Sequence, residues 1–226
     1  LVITLWREKA IRVSKKDLGK VAIVGGLGLG LYQILWSLGL DLTSPSNSAL
    51  ILSIQPLLGV LYMDLVKKEP VGRGQYWGML LALVGVFLVI LKPTARLDFS
   101  LETLPGDLLT LMAAFCGAIF FSVWSKPLLQ IYSPLRLMSY CMIIGSFVLW
   151  IASLFSARPV LWNEALGKTW WSMGYAVLFS GMIGHVFWYE GLGRIGVTNS
   201  MVYLYFLPIW AVLFNAFMMG EKIFLQ

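Results

Sequence analysis

A stretch of thirty-nine residues recurs, without a gap, 152 positions further along this chain. With Leu31–Glu69 laid on Ile183–Glu221, ten positions are identical: Trp36/Trp188, Gly39/Gly191, Leu40/Leu192, Asn47/Asn199, Ser48/Ser200, Leu52/Leu204, Pro56/Pro208, Val60/Val212, Leu61/Leu213 and Glu69/Glu221. An internal duplication restricts the chain to folds built from two like units. In an apolar chain it is the usual ground plan of a secondary transporter, which holds its solute between the copies.

The apolar condition is met. The sequence is 59% hydrophobic and 12% charged, with a mean hydropathy of +0.81. A soluble domain of 226 residues could not cover so much apolar surface with so few charges. The apolar residues also fall in blocks of membrane-crossing length, since about 20 helical residues cross a hydrocarbon core of roughly 30 Å. Seven complete blocks are expected, near 19–39, 47–66, 75–92, 107–127, 136–157, 170–190 and 197–219. Leu1–Trp6 reads as the tail of an earlier span and Lys222–Gln226 as the start of a later one. The chain is therefore expected to be a fragment, and the lack of a signal peptide carries no information.

Seven of the prolines, Pro45, Pro70, Pro93, Pro105, Pro127, Pro134 and Pro159, fall in or beside the expected loops. Pro56 and Pro208 lie inside spans and are repeat mates. Each is expected near its span's centre, either as a tolerated kink or in a shared mechanical role.

The net charge of +6 is explained by the positive-inside rule better than by nucleic acid. Counted over alternate connections, twelve basic residues (Arg7, Lys9, Arg12, Lys15, Lys16, Lys20, Lys67, Lys68, Arg73, Lys126, Arg136, Arg194) fall on one side and five (Lys92, Arg96, Arg158, Lys168, Lys222) on the other. The Arg7–Lys20 loop is thus expected in the cytoplasm, with the first complete span running outward. One repeat copy begins in the first complete span and its mate in the sixth. Five crossings separate them, an odd number, so the copies insert with opposite orientation. The expected fold is an all-α integral membrane protein, an inverted repeat of two five-helix units, divided as 1–97 and 98–226.

The same residues resemble the EamA group of the drug/metabolite transporter superfamily. The resemblance rests on a doubled pattern: an aromatic near a helix end, a short turn of small residues, a helix with a central Pro, and a closing Glu. It reads Tyr32–Gly39, Ser44–Ala49, Pro56 and Glu69 in the first half, and Phe187–Gly191, Val197–Ser200, Pro208 and Gly220–Glu221 in the second. The family pattern is departed from at Lys67–Lys68–Glu69–Pro70, where a Gly–Glu pair is more usual, and at Glu190, where a small or apolar residue is common. The resemblance implies a ten-helix exporter, of which this chain lacks the first helix, most of the second, and the last.

Candidate solute-binding residues follow from the repeat. Gln33 with Trp36, and His185 with Trp188, are i, i+3 pairs on one helical face, able to hydrogen-bond a solute and stack on it. The alternative for each pair is interhelical packing. Gln55, Pro56, Tyr203 and Pro208 complete the expected substrate pathway, with Tyr205 and Trp210 beside the second proline. Glu190 and His185 are the candidate proton-coupling residues, although Glu190 also has Arg194 four residues on as an ion-pair partner. Asp64 is a weaker case, with Lys67 and Lys68 one turn away. Asn47 and Asn199 open their helices and are read as N-caps.

Other features read as structural. Cys116 and Cys141 are expected as small packing residues rather than a disulfide. Gly26–Gly30, Ala114–Ala118 and Gly78–Ala82 are small-residue pairs suited to close helix approach. Tyr76/Trp77 and Trp170/Trp171 read as interfacial anchors.

The expected function is a secondary active carrier in the plasma membrane. It would export a small metabolite, an amino-acid-like compound or a drug by alternating access, with the pocket at mid-membrane. Its expected partners are that small molecule, the lipid bilayer and a second copy in an optional homodimer; no nucleic acid, metal or other cofactor is expected. The alternatives are a non-transporting membrane subunit or inactive fragment, and an integral-membrane transferase. The transferase lacks the clustered ionisable groups such chemistry needs.

Overall fold

The computed structural model describes residues 12–90, 100–155, 167–207 and 210. Among them every regular element is helical and no strand occurs. Six long helical stretches organise these residues: α1 (Leu18–Leu42), α2 (Pro45–Leu65), α3 (Arg73–Ile90), α4 (Leu104–Leu129), α5 (Pro134–Leu154) and α6 (167–195). A seventh, α7, begins at Val197.

Four of them, α1, α2, α4 and α5, are long and apolar enough to cross a membrane. They fall on four of the seven expected blocks, with ends shifted by one to three residues. The block at 75–92 forms α3, which runs to the edge of the described residues. In α6, expected as 170–190, the residues Trp170, Trp171, Tyr175, His185 and Glu190 dilute the apolar run. The block at 197–219 is described only in its first half, and Leu1–Trp6, Pro93, Pro159, Pro208, Gly220 and Lys222–Gln226 lie outside the described residues.

The chain packs as two compact units. One holds residues 1–34 and 120–196, the other 35–119 and 197–226. Helices α1 and α4 each contribute one end to each unit.

Within the first unit, α1 and α5 cross at close range. A Cβ on Gly25 would come within 2.9 Å of the Cys141 backbone, and one on Gly30 within 2.8 Å of Val148 Cβ. Gly145 meets Leu29 in return. Such contacts bring backbones together where lipid supplies no hydrophobic drive. This corrects the small-residue assignment. Gly26 has only ordinary van der Waals neighbours and Gly78 has nothing within 4 Å, whereas Gly25, Gly28, Gly30 and Gly145 carry the crossings. Ala114 and Ala118 are fully buried, as expected.

Among the described residues, three helices widen into π-helical segments: Gly26–Leu31 in α1, Gly117–Val123 in α4 and Ala176–Gly184 in α6. Such segments are rare in helices and concentrate at functional positions. Shifted by the repeat spacing of 152, Gly26–Leu31 falls on residues 178–183, inside the α6 segment. Both mates carry the same distortion.

The second unit shows what Pro56 does. α2 is two helices, Pro45–Leu52 and Gln55–Leu65, separated by a turn at Ser53–Ile54. Pro56 has no N–H to give to the carbonyl of Leu52, so the ladder opens one turn earlier. The Ser53 hydroxyl donates to the Leu50 carbonyl at 2.5 Å and helps close the gap. Pro56 itself is buried, and the break falls at the middle of the 21-residue stretch.

Candidate functional site

In the first unit, the candidate His185 meets Phe121, in the π segment of α4. Its backbone lies against α1, where a Cβ on Gly28 would stand 2.6 Å from Phe121 N. The Phe121 ring stacks on Tyr189 with centroids 4.9 Å apart and meets the His185 ring edge-on at 5.5 Å. The Tyr189 hydroxyl donates to the Phe121 carbonyl at 3.4 Å and lies 3.9 Å from Cys141 Sγ. Tyr189 is completely buried, so its hydroxyl needs these partners.

His185 opens the α-helical part of α6, directly after the π segment. Its own N–H goes to the Met182 carbonyl. Its ring Nδ1 lies 3.0 Å from the Ser180 carbonyl, five residues back. A carbonyl can only accept, so Nδ1 carries the hydrogen. Trp188 stands one turn further on the same helix and is partly exposed, as is His185. Gln33, the repeat mate of His185, is half-buried and follows its own π segment by two residues. Among the described residues, no hydrogen bond or ring contact joins Gln33 to His185 or Trp188.

Glu190 is held by Arg194, with Arg194 Nε 2.7 Å and a terminal nitrogen 2.5 Å from Glu190 Oε1. The ion-pair reading of this carboxylate is the geometry found. Asp64 differs from expectation: it accepts a hydrogen bond from the Tyr76 hydroxyl at 2.7 Å, in the second unit.

The remaining candidates belong to the second unit. Trp36 Nε1 donates to the Ser48 hydroxyl at 3.3 Å, tying α1 to α2. Gln55 sits at the α2 break, half-buried. Tyr203 is 63% exposed, with its ring 6.1 Å from that of Phe206. Trp210 is likewise exposed.

Asn47 is not an N-cap. Ser44 takes that role, its side chain accepting from Asn47 N at 3.0 Å. Asn47 lies inside the helix, fully buried, and its amide donates to both oxygens of Asp107, at 3.3 and 3.4 Å. Thr43 adds a 2.5 Å bond to the same carboxylate. Proline at position 45 made the difference, because it occupies the first helical turn and moves the cap upstream. Asn199 also lies inside a helical turn. It follows Gly196, whose φ of +80° breaks the helix, and its side-chain oxygen accepts from Gln75 at 3.1 Å.

Sequence reasoning passed over Phe121, Tyr189 and Asp107. Tyr189 has a legible signal, a hydroxyl four residues after the single histidine on an apolar helix. Asp107 has one too, a carboxylate in a first turn behind Pro105. Phe121 has none, because its part depends on which helices meet it.

The chain resembles known membrane proteins over nearly its whole length. It is 28% identical to an uncharacterized transporter, YyaM, of Bacillus subtilis over 99% of this chain and 73% of that protein. It is 25% identical to a probable terminal-alkyne amino-acid exporter of Streptantibioticus cattleyicolor, over 93% of this chain and 68% of that one. It is 22% identical to the pseudopaline exporter CntI of Pseudomonas aeruginosa, over 96% and 70%. A solved crystal structure superposes with a TM-score of 0.81 at 21% identity, covering 98% of this chain and 74% of that one, a likeness of fold. The model of the EamA-like transporter family matches residues 1–91 and 104–226. The chain is a helical membrane protein and belongs to the EamA-like transporter family of the drug/metabolite transporter superfamily.

Proposed function

We propose that this transporter is a secondary active exporter of the plasma membrane, moving small amino-acid-like compounds by alternating access through an inverted repeat of two five-helix halves, 1–97 and 98–226. The observation that carries the reading is the broken α2. A mid-span gap at Ser53–Ile54, made by a buried Pro56, is the kind of discontinuous helix that transporters place at their solute site. The matched π segments of α1 and α6 add to it, since equivalent distortions in both repeat copies support a shared mechanical part.

Hydrogen bonding supports the seven-span topology. Residues at opposite faces of a bilayer cannot bond. Asp17 pairs with Tyr132, Asp64 with Tyr76 and Asn199 with Gln75, and the topology places all six at the cytoplasmic side. Thr43 and Asn47 pair with Asp107, all at the outer side.

On this reading the pathway residues are the candidates that the sequence repeat singles out: Gln33, Trp36, Gln55, Pro56, His185, Trp188, Tyr203 and Pro208. An amino-acid-like cargo agrees with the exporter named for amino acids among the relatives. Transport by the full-length protein in proteoliposomes tests it. Substrate-dependent flux is expected for at least one amino-acid-like compound in a broad panel, and silence across the panel would remove the carrier reading. Trp188→Ala is expected to reduce flux more than Trp171→Ala, since Trp171 is 84% exposed.

A further inference from the structure

We propose that His185 is the acceptor for the ammonium group of the cargo, fixed for that task by the π segment before it and by Phe121. The inference rests on the carrier reading above and assigns one end of the substrate to one atom.

The ring's orientation is determined on two sides. Nδ1 gives its hydrogen to the Ser180 carbonyl at 3.0 Å. The His185 main-chain N–H is spent on the Met182 carbonyl instead. Phe121 meets the ring edge-on at 5.5 Å and is itself held by the stacked, buried Tyr189. With Nδ1 committed as donor, the neutral ring has its lone pair at Nε2, which can only accept.

The surroundings choose a cation over a neutral donor. Trp188 lies one turn on along the same face, and an indole face attracts an ammonium group. The nearest carboxylate on the helix, Glu190, is already neutralised by Arg194. A positive group is therefore recognised here by a lone pair and a π cloud rather than by a full counter-charge. Such a site releases its ligand readily, as a carrier must. Gln33, at the equivalent place in the other repeat copy, also carries a side-chain acceptor. Glutamine's terminal amide reaches about as far as Nε2, so the repeat itself names the substitution that retains the function. Tyr189 and Phe121 are positioning residues, since they act through the imidazole.

His185 is the one histidine of this sequence, so histidine-selective 15N labelling in the full-length protein reads this site, with a His185→Gln sample subtracting any other. The expected spectrum has a protonated Nδ1 and an unprotonated Nε2. The opposite tautomer in the wild-type protein would overturn the proposal, whatever the transport result. Binding is then measured for a panel of L-α-amino acids, each against the matching acid without its amine. The amine-bearing member is expected to shift the Nε2 resonance and to bind at least about tenfold more tightly, a factor of ten being about 1.4 kcal/mol. His185→Phe is expected to abolish that preference, His185→Gln to keep most of it, and Tyr189→Phe to weaken it while broadening the Nε2 signal. Equal binding of both members, with flux intact, overturns the ammonium assignment alone. Absence of wild-type flux for every compound overturns the carrier reading and this inference with it.

Discussion

Tyr189 and Phe121 are joined twice, by stacked rings 4.9 Å apart and by a hydrogen bond from the tyrosine hydroxyl to the phenylalanine carbonyl at 3.4 Å. The carbonyl belongs to the π segment of α4, where the wider turn loosens the regular ladder. One residue thus bonds to the backbone of a neighbouring helix and fixes the ring against which His185 rests.

Tyr189→Phe keeps the stack and removes the bond. A loss of about 0.5–1.5 kcal/mol is expected. Tyr189→Ala also opens a cavity, with a loss of about 3–5 kcal/mol. Reversible unfolding in mixed micelles measures both, and equal losses would show that the ring contributes nothing.

Gly28→Ala is expected to destabilise by about 1–3 kcal/mol, because the new Cβ would stand 2.6 Å from a backbone nitrogen that cannot step aside. Gly78→Ala, with nothing within 4 Å, is expected to be neutral or to stabilise by up to about 1 kcal/mol. Thermal unfolding of the pair in one detergent separates crowding from helix propensity. Similar shifts at the two sites would remove the close crossing.

The Asp107 carboxylate gathers Thr43 and Asn47. Asp107→Asn is expected to cost about 1.5–3 kcal/mol, the range for hydrogen bonds to a charged group. Combined with Thr43→Val, it should show a coupling of about 0.5–3 kcal/mol in a double-mutant cycle. Strict additivity would mean that the two side chains do not interact.

Tyr132, in the connection between α4 and α5, donates to Asp17 at 2.7 Å. That bond to a carboxylate holds its hydroxyl above the usual tyrosine range. A raised folded value means that the contribution to stability is complete below the unfolded value of about 10 and disappears as pH rises through the folded one. Alkaline unfolding monitored by tyrosinate absorbance is expected to begin at lower pH in Asp17→Asn. An unchanged profile would show that the bond does not govern the titration.

Glu190 and Arg194 form an exposed i, i+4 pair, with side chains 39% and 76% accessible. Such pairs contribute little, about 0.3–0.5 kcal/mol. Glu190→Gln should therefore leave stability nearly unchanged and keep any proton dependence of flux. Loss of that dependence at normal stability would identify Glu190 as a coupling residue.

Much of the architecture is legible in the order of residues, because membrane insertion rewards local properties. Apolar runs of span length locate α1, α2, α4 and α5 to within a few residues, since every backbone group in lipid must be satisfied within its own helix. Pro56 announces a disturbance in mid-span because a missing N–H acts on its own turn, and the structure shows it as a break. Asn47 departs from the N-cap expectation for a related reason: its helix start is local, but Asp107, sixty residues away, decides what its amide does. The glycines show the same divide. Gly26 and Gly28 are alike in composition and spacing, and only the approach of Phe121 makes one indispensable and the other ordinary.

By itself the sequence determined that this chain is a helical membrane protein with a repeated unit and a proline in mid-span. Those follow from hydropathy, self-similarity and the chemistry of single residues, each acting over a few positions. Only the tertiary structure decided that Phe121 and Tyr189 frame His185, that the Ser180 carbonyl meets its Nδ1, and that Asp107 anchors Asn47. These depend on which faces of distant helices meet, and in lipid that is settled by packing and hydrogen-bond geometry rather than by apolarity, which every span shares.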